Sequence, residues 1–208
     1  MTVQLFCGDC LDILPTLEAG SVDAVVTDPP YPKKYLFLYW FVAEQSRQLL
    51  VQGGSYLAIV PHYAMENVLE KVGQHLKYRW IFSMWQAMGQ HPRMAMGIEV
   101  MWKPIVWWIN GSWPQGRGFV RDGFENSQPD KKHHKWEQSL DWAQYCLSVV
   151  PRGGTVVDPM MGGGTMGVAC VNNGYNFIGI EKDKQSFEIA KTRIEKTQNE
   201  MIQAELAL

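Results

Sequence analysis

The chain holds 208 residues, 46% of them apolar and 19% charged, with a formal net charge of −2. Such a composition supports a sizeable core and excludes a disordered, collagen-like or coiled-coil chain. No apolar run reaches the roughly 18 residues a membrane span needs, and Met1-Thr2-Val3-Gln4-Leu5 has no basic region or apolar export core, so a cytoplasmic protein is expected.

Val3 to Phe6 is a short apolar run, and Leu11 to Leu17 has helical spacing behind Asp9 as a possible cap. Val22 to Thr27 is a β-branched strand that stops at Asp28-Pro29-Pro30-Tyr31-Pro32, where the prolines end any sheet or helix. Leu36 to Leu50 reads as a helix ended by Gln52-Gly53-Gly54, Ser55 to Val60 as a strand and Tyr63 to His75 as a helix. Strands are expected at Tyr78–Trp85 and Gly97–Ile109, the second interrupted by Pro104. From Gly111 to Lys135 the pattern dissolves into Gly, Pro, Asn, Asp, Lys and His, as in a functional or flexible loop. Leu140 to Val150 is helical and Thr155 to Val157 a strand, and a helix follows from the glycine-rich turn to Asn172. Phe177 to Ile180 is a strand ending at Glu181, and Lys184 to about Ala207 is a charged amphipathic helix. Strands alternating with helices predict one domain, residues 1–208, built on a mostly parallel α/β sheet covered on both faces.

Cys7-Gly8-Asp9-Cys10 fits C-x-x-C, but Cys146 and Cys170 stand apart and supply no second ligand pair. Two small residues at the end of a buried strand is the preferred reading, and no metal is expected, His133-His134 included. The middle of the chain differs in charge: residues 71–137 carry ten Lys and Arg against five Asp and Glu, between two acidic flanks. Seven of the nine tryptophans lie there, Trp80, Trp85, Trp102, Trp107, Trp108, Trp113 and Trp136. Cations interleaved with rings suit a nucleic-acid surface. For Trp102, Trp107 and Trp108, on a strand, core packing is the favoured reading.

Gly162-Gly163-Gly164-Thr165-Met166-Gly167 satisfies G-x-G-x-x-G between a strand and a helix, and Glu181 ends the next strand. Glycines allow a tight turn and close backbone approach, and the acid can accept hydrogen bonds from ribose hydroxyls. A nucleoside-containing cofactor is expected. A dinucleotide fits poorly, because the motif lies late in the chain and Asp158-Pro159 precedes it. An acid there could hold a cationic ligand, and S-adenosylmethionine, with its ammonium and sulfonium, is one.

Asp28-Pro29-Pro30-Tyr31 follows a parallel strand, at the carboxyl edge where such sheets bind ligands. The prolines hold Asp28 and the Pro29 carbonyl, both acceptors, at a set spacing. Together they can receive both hydrogens of an exocyclic amine, while Tyr31 offers a ring for stacking.

These motifs resemble the permuted, β-class amino-methylating DNA methyltransferases, in which a D-P-P-Y turn precedes the cofactor glycines. The resemblance covers nearly the whole chain and implies a Rossmann-like fold with a mostly parallel seven-stranded sheet in permuted motif order. It implies Asp28, Pro29, Pro30 and Tyr31 as catalytic residues and S-adenosylmethionine as cofactor. Gly8-Asp9-Cys10 resembles the segment lining the cofactor adenine, which implicates Asp9 and Cys10. Asp158-Pro159-Met160-Met161-Gly162-Gly163-Gly164-Thr165 resembles the cofactor loop, with Met160 in place of Phe and Gly163 in place of Ser. Cofactor contacts are thereby implied for Asp28, Asp158, Pro159, Met160, Gly162, Gly164 and Thr165. Phe177 to Glu181 resembles the strand whose Glu holds the ribose, with Lys182 beside it. His134-Lys135-Trp136-Glu137-Gln138-Ser139 resembles the segment leading to the methionine end, which implicates Ser139; Gln138-Ser139 replaces Lys-Pro.

Asp28 at the head of the turn leans toward adenine-N6 over cytosine-N4, by resemblance. Double-stranded DNA is the expected partner, with Lys33, Lys34, Arg117, Arg121, Lys131 and Lys132 as candidate contacts and residues 111–135 as a short recognition or flexible loop. A homodimer and a cognate restriction endonuclease are left open. The rival readings are a cytosine-N4, RNA or protein methyltransferase, a non-catalytic nucleic-acid-binding module and a nicotinamide oxidoreductase.

Overall fold

The computed structural model describes residues 1–86, 93–94, 96–113, 118–127 and 139–206. In chain order the elements are β1 (Val3–Cys7), α1 (Cys10–Ile13), β2 (Val22–Thr27), α2 (Phe37–Leu49), β3 (Leu50–Ile59), α3 (Met65–Val72) and β4 (Lys77–Gln86). They continue with β5 (Trp102–Ile109), β6 (Gly123–Asn126), α4 (Leu140–Leu147), β7 (Thr155–Asp158), α5 (Thr165–Asn172), β8 (Asn176–Glu181) and α6 (Lys184–Leu206). The strands form one sheet in the order β1-β8-β7-β2-β3-β5-β4-β6. Among the described residues only β5 is antiparallel to its neighbours, β3 and β4. The carboxyl ends of the other strands therefore share one edge, and the start of β5 lies there too.

Side chains alternate across the sheet, and each face has its own apolar core. Ala24, Val26, Leu57, Ile59, Ile105 and Trp107 point to the face covered by α4, α5 and α6, where Trp142, Met166, Ala190 and Ile194 meet them. Val25, Tyr56, Ala58, Val106 and Trp108 point to the other face, against Leu14, Tyr39, Val42 and Val68 of the α1–α3 side. The parallel α/β expectation holds. Trp107 and Trp108 are core residues, as expected, and Trp102 is partly buried. Trp85 is exposed, and Trp113 packs edge-on against Trp107 with centroids 4.6 Å apart. Trp136, His91, His133 and His134 lie outside the described residues.

Three expectations are corrected. Among the described residues the sheet has eight strands rather than seven, because Gly123–Asn126, inside the stretch read as a loop, pairs in parallel with β4. Four residues, Gly-Phe-Glu-Asn, carry too little periodicity to be seen as a strand in sequence. Gln52-Gly53-Gly54 does not end a helix but lies within β3. Gly53 takes a φ of 77° where the β2–β3 register shifts between Val22 and Ala24, so the glycines make an irregularity in a strand. Pro104 does not interrupt β5, since it sits opposite Ser83 and its carbonyl accepts from the Val60 amide at 3.0 Å. Finally, the C-x-x-C pair straddles two environments, with Cys7 exposed at the end of β1 and Cys10 buried at the start of α1.

Candidate active site

The two central strands β7 and β2 lie side by side, and their following segments diverge. From β7 the chain passes through α5 to β8, and from β2 through α2 to β3 on the opposite side. A crevice opens outside the carboxyl ends of such a pair, and ligands of open α/β sheets bind there. Asp158 ends β7, and Asp28 follows β2 directly. Residues 130 positions apart are thereby brought to one crevice by the parallel pairing of Val25 with Val157.

The glycine turn is built for close approach. Gly162 has a φ of 50°, and a Cβ there would meet nothing within 4 Å, so its backbone faces open space. Gly164 has a φ of 80°, and a Cβ would lie 2.9 Å from the Ala190 Cα on α6. A Cβ on Gly167 would lie 2.7 Å from the Phe177 ring. One glycine thus leaves room for a ligand, and two let α5 sit against α6 and β8. The turn is held by the Met161 amide, which donates to the Ile180 carbonyl at 3.0 Å, and by the Arg193 guanidinium, which donates to the Gly163 carbonyl.

Glu181 joins this turn to the rest of the crevice. Its Oε2 accepts from the Gly162 amide at 2.9 Å and its Oε1 from the Asp183 amide at 2.8 Å. Each oxygen keeps a further lone pair, so both bonds are compatible with accepting from a diol. At the next position Lys182 places its ammonium 3.9 Å from Asp9 and 5.8 Å from the Tyr35 ring centroid. Asp9 caps α1 by accepting from the Leu11 amide at 3.0 Å, which fixes the entry to the buried Cys10. Burial, with Asp9 adding to it, pushes the Cys10 thiol up to about 12, so it is a neutral wall rather than a nucleophile. Asp9, Cys10, Glu181, Lys182 and the glycine turn are therefore one constellation.

Asp158 is buried, and burial raises its carboxyl to about 8, with Glu181 and Asp28 adding like charge. Its Oδ1 accepts from the Met160 amide at 3.1 Å. A cationic occupant would offset the like charge that Glu181 and Asp28 place on Asp158. Across it, burial holds the Tyr31 phenol well above its ordinary range, and the neighbouring Asp28 carboxylate raises it further. The Lys103 ammonium stands 5.9 Å from the Tyr31 ring centroid, and the Tyr63 hydroxyl donates to the Tyr31 carbonyl. Lys103, on β5, and Tyr63 were not foreseen. Their contact with Tyr31 arises from the β3–β5 pairing and from the turn after β3, which no local motif marks.

Other candidates fall elsewhere. Ser139 is buried and donates to Asn126 at the end of β6, a partner that sequence did not indicate. Lys33 and Lys34 are exposed on the turn behind Tyr31. Arg121 precedes β6, four strands from β2, or about 19 Å across the sheet at about 4.8 Å per strand. Arg117, Lys131 and Lys132 lie outside the described residues. Among the described residues no group of three or more His, Cys, Asp or Glu could hold a metal, and no helix is long and apolar enough to cross a membrane.

The glycine turn and the acidic-aromatic turn face each other across a switch point, in a methyltransferase fold with its motifs in permuted order. Residues 121–192 match the family model described as DNA methylase. The type II methyltransferase M.HpaI of Haemophilus parainfluenzae is 22% identical over 237 residues, spanning 94% of this chain and 75% of that protein. Among solved structures, the M1.HpyAVI complex with S-adenosylmethionine superposes with a TM-score of 0.76 at 22% identity, covering 93% of this chain and 99% of the other. The PvuII DNA methyltransferase, cytosine-N4-specific, gives 0.78 at 14% identity, over 96% of this chain and 91% of its own. The family model covers about a third of the chain, and both solved structures share its fold.

Proposed function

We propose that the protein transfers a methyl group from S-adenosylmethionine to the exocyclic N6 amine of adenine in double-stranded DNA. The observation that carries this reading is the juxtaposition of Asp28-Pro29-Pro30-Tyr31 with the Asp158 and Gly162–Gly164 turn across one crevice. Asp9, Cys10 and Lys182 would line the adenine of the cofactor, Glu181 its ribose, and Gly162 and Asp158 its polar chain. When bound, S-adenosylmethionine supplies a methyl group on a positively charged sulfur.

The chain's own residues do the rest. The target base leaves the duplex, as chemistry on a base requires. Asp28 and the Pro29 carbonyl accept hydrogen bonds from the amine, so the nitrogen lone pair faces the methyl donor, and the proton that the methylated nitrogen sheds leaves through the Asp28 contact to solvent. Tyr31 stacks on the base. The gain comes from orientation and preset dipoles, and the amine itself is the nucleophile. Lys33 and Lys34 meet phosphates beside the extruded base. The choice of adenine over cytosine rests on the resemblance alone, in which Asp at the head of the turn accompanies adenine.

Tritiated S-adenosylmethionine and unmethylated duplex DNA test the reading, with the product digested to nucleosides. Label in N6-methyladenine, lost in Asp28→Ala, is expected. Label in N4-methylcytosine would keep the mechanism and replace the substrate. Label in RNA or protein instead would overturn the DNA assignment.

A further inference from the structure

Behind the Asp28-Pro29-Pro30-Tyr31 turn, on the α2–α3 face of the sheet, lies an open groove of about 540 Å³ lined by Lys33, Leu36, Trp40, Tyr63, Ala64 and Asn67. Its size falls within the range of roughly 300–1,000 Å³ typical of small-ligand sites. None of the six lining residues is acidic. The groove has an exposed cation at its lip (Lys33), two rings (Trp40 and Tyr63) and an exposed side-chain amide (Asn67). It is joined to the catalytic turn twice. Lys33 follows Tyr31 by two residues, and the Tyr63 hydroxyl donates to the Tyr31 carbonyl. An occupant of the groove therefore lies against the backbone of the turn that carries Tyr31, whose ring packs toward the α4–α6 face.

We infer that this groove binds the nucleotide next to the target base in the same DNA strand, with its phosphate on Lys33 and its base against Trp40 and Tyr63. Cations that track phosphates, combined with rings that take successive bases, are the usual means of holding an unpaired strand. The Asn67 amide, with a donor pair and an acceptor, can read the edge of that base. A partner of opposite chemistry, an acidic-surface reader or a cationic peptide, is disfavoured by Lys33 and the absence of any acid. This inference rests on DNA being the substrate. It assigns to Trp40, Tyr63 and Asn67 a role that the transfer step does not require.

The test uses the full chain and unmethylated duplex DNA carrying bromodeoxyuridine, photo-crosslinked and mapped by peptide mass. It is paired with Kd values for DNA and for S-adenosylmethionine. Crosslinks at Trp40 or Tyr63 are expected. Asn67→Ala and Trp40→Ala are expected to weaken DNA binding by about tenfold, the scale of one stacking or base-edge contact, with cofactor affinity within about twofold of wild type. Lys33→Gln is expected to reduce the slope of log K against log salt by about one. Asn67 and Lys33 are exposed, so these variants remain informative if Trp40→Ala does not fold. Wild-type DNA affinity and salt slope in Asn67→Ala and Lys33→Gln, with no crosslink in the groove, would overturn the inference while leaving transfer to DNA intact. Absence of DNA binding by the wild-type chain would instead remove the DNA reading, and the groove's occupant with it.

Discussion

The amide of Gly162 donates to the Glu181 carboxylate at 2.9 Å, so the turn after β7 and the end of β8 are a single rigid cradle. The same carboxylate accepts from the Asp183 amide at 2.8 Å. Glu181→Gln keeps the shape, removes the charge and leaves one acceptor oxygen in place of two. Bonds to charged groups contribute about 1.5–3 kcal/mol each. Titration calorimetry is therefore expected to show S-adenosylmethionine bound at least about tenfold more weakly, with the near-UV circular dichroism unchanged. Wild-type affinity would show that Glu181 serves the fold alone.

Asp158 gives the chain a defined response to pH. Its carboxyl ionises near 3.8 when unfolded and near 8 when folded, because burial disfavours the anion. Between these values the folded chain holds the extra proton, so this residue's contribution to stability falls as pH rises across that window. Asp158→Asn should remove the fall. Its Tm relative to wild type is expected to climb between pH 5 and pH 8, by about 2–4 °C for each kcal/mol recovered.

A cation bound against Asp158 favours the anion, so binding below pH 8 should release a proton. Affinity for S-adenosylmethionine is expected to rise with pH up to about 8, by no more than about tenfold per pH unit. Calorimetry at pH 7 in two buffers of different ionisation enthalpy checks this directly. Equal heats in both buffers would show that Asp158 does not change its protonation on binding.

Gly162 and Gly164 should separate function from stability. At Gly164 a Cβ would lie 2.9 Å from the Ala190 Cα at a φ of 80°. Gly164→Ala is expected to cost about 1–3 kcal/mol, hence several degrees of Tm. At Gly162 the same Cβ meets nothing within 4 Å, and only the φ of 50° is unfavourable. Gly162→Ala should lose less stability and more cofactor affinity, because its Cβ enters the space the ligand would take.

The cysteines differ in reach rather than in number. Cys7 is exposed, whereas Cys10, Cys146 and Cys170 are buried free thiols. Burial holds the Cys10 thiol at about 12 and the other two above their ordinary value. A maleimide at pH 7 is expected to label Cys7 in the native chain and the other three only after unfolding, as read by intact mass. Native labelling of Cys10 would show that the wall beside Asp9 opens.

How far the site was legible depended on how local its residues are. The cradle was readable because Gly162, Gly164 and Glu181 fall within one strand-turn-helix-strand unit, and the turn at Asp28 because prolines cannot continue a strand. The β6 strand was not, since Gly123–Asn126 becomes a strand only by lying against Ser83 to Gln86. Lys103 and Tyr63 were missed for the same reason, as both reach Tyr31 through pairings that join distant segments. Gln52-Gly53-Gly54 misled because the same glycines that end helices also allow a kink inside a strand. Nothing in the local sequence decides between the two.

The sheet order also has a consequence for synthesis. β1 pairs with β8, Val3 opposite Phe177, and β2 with β7, Val25 opposite Val157. On the ribosome the acidic turn at Asp28 emerges early, but its neighbour in the sheet is made about 130 residues later. Until then β1 has no strand beside it and β2 lacks its β7 neighbour, so open edges stay exposed to solvent and to chaperones that guard such edges. Contacts so distant in sequence close slowly. A nascent chain stopped before β8 would carry the Asp28 turn and the glycine turn but not Glu181, which holds the Gly162 amide, so the crevice is completed in one late step.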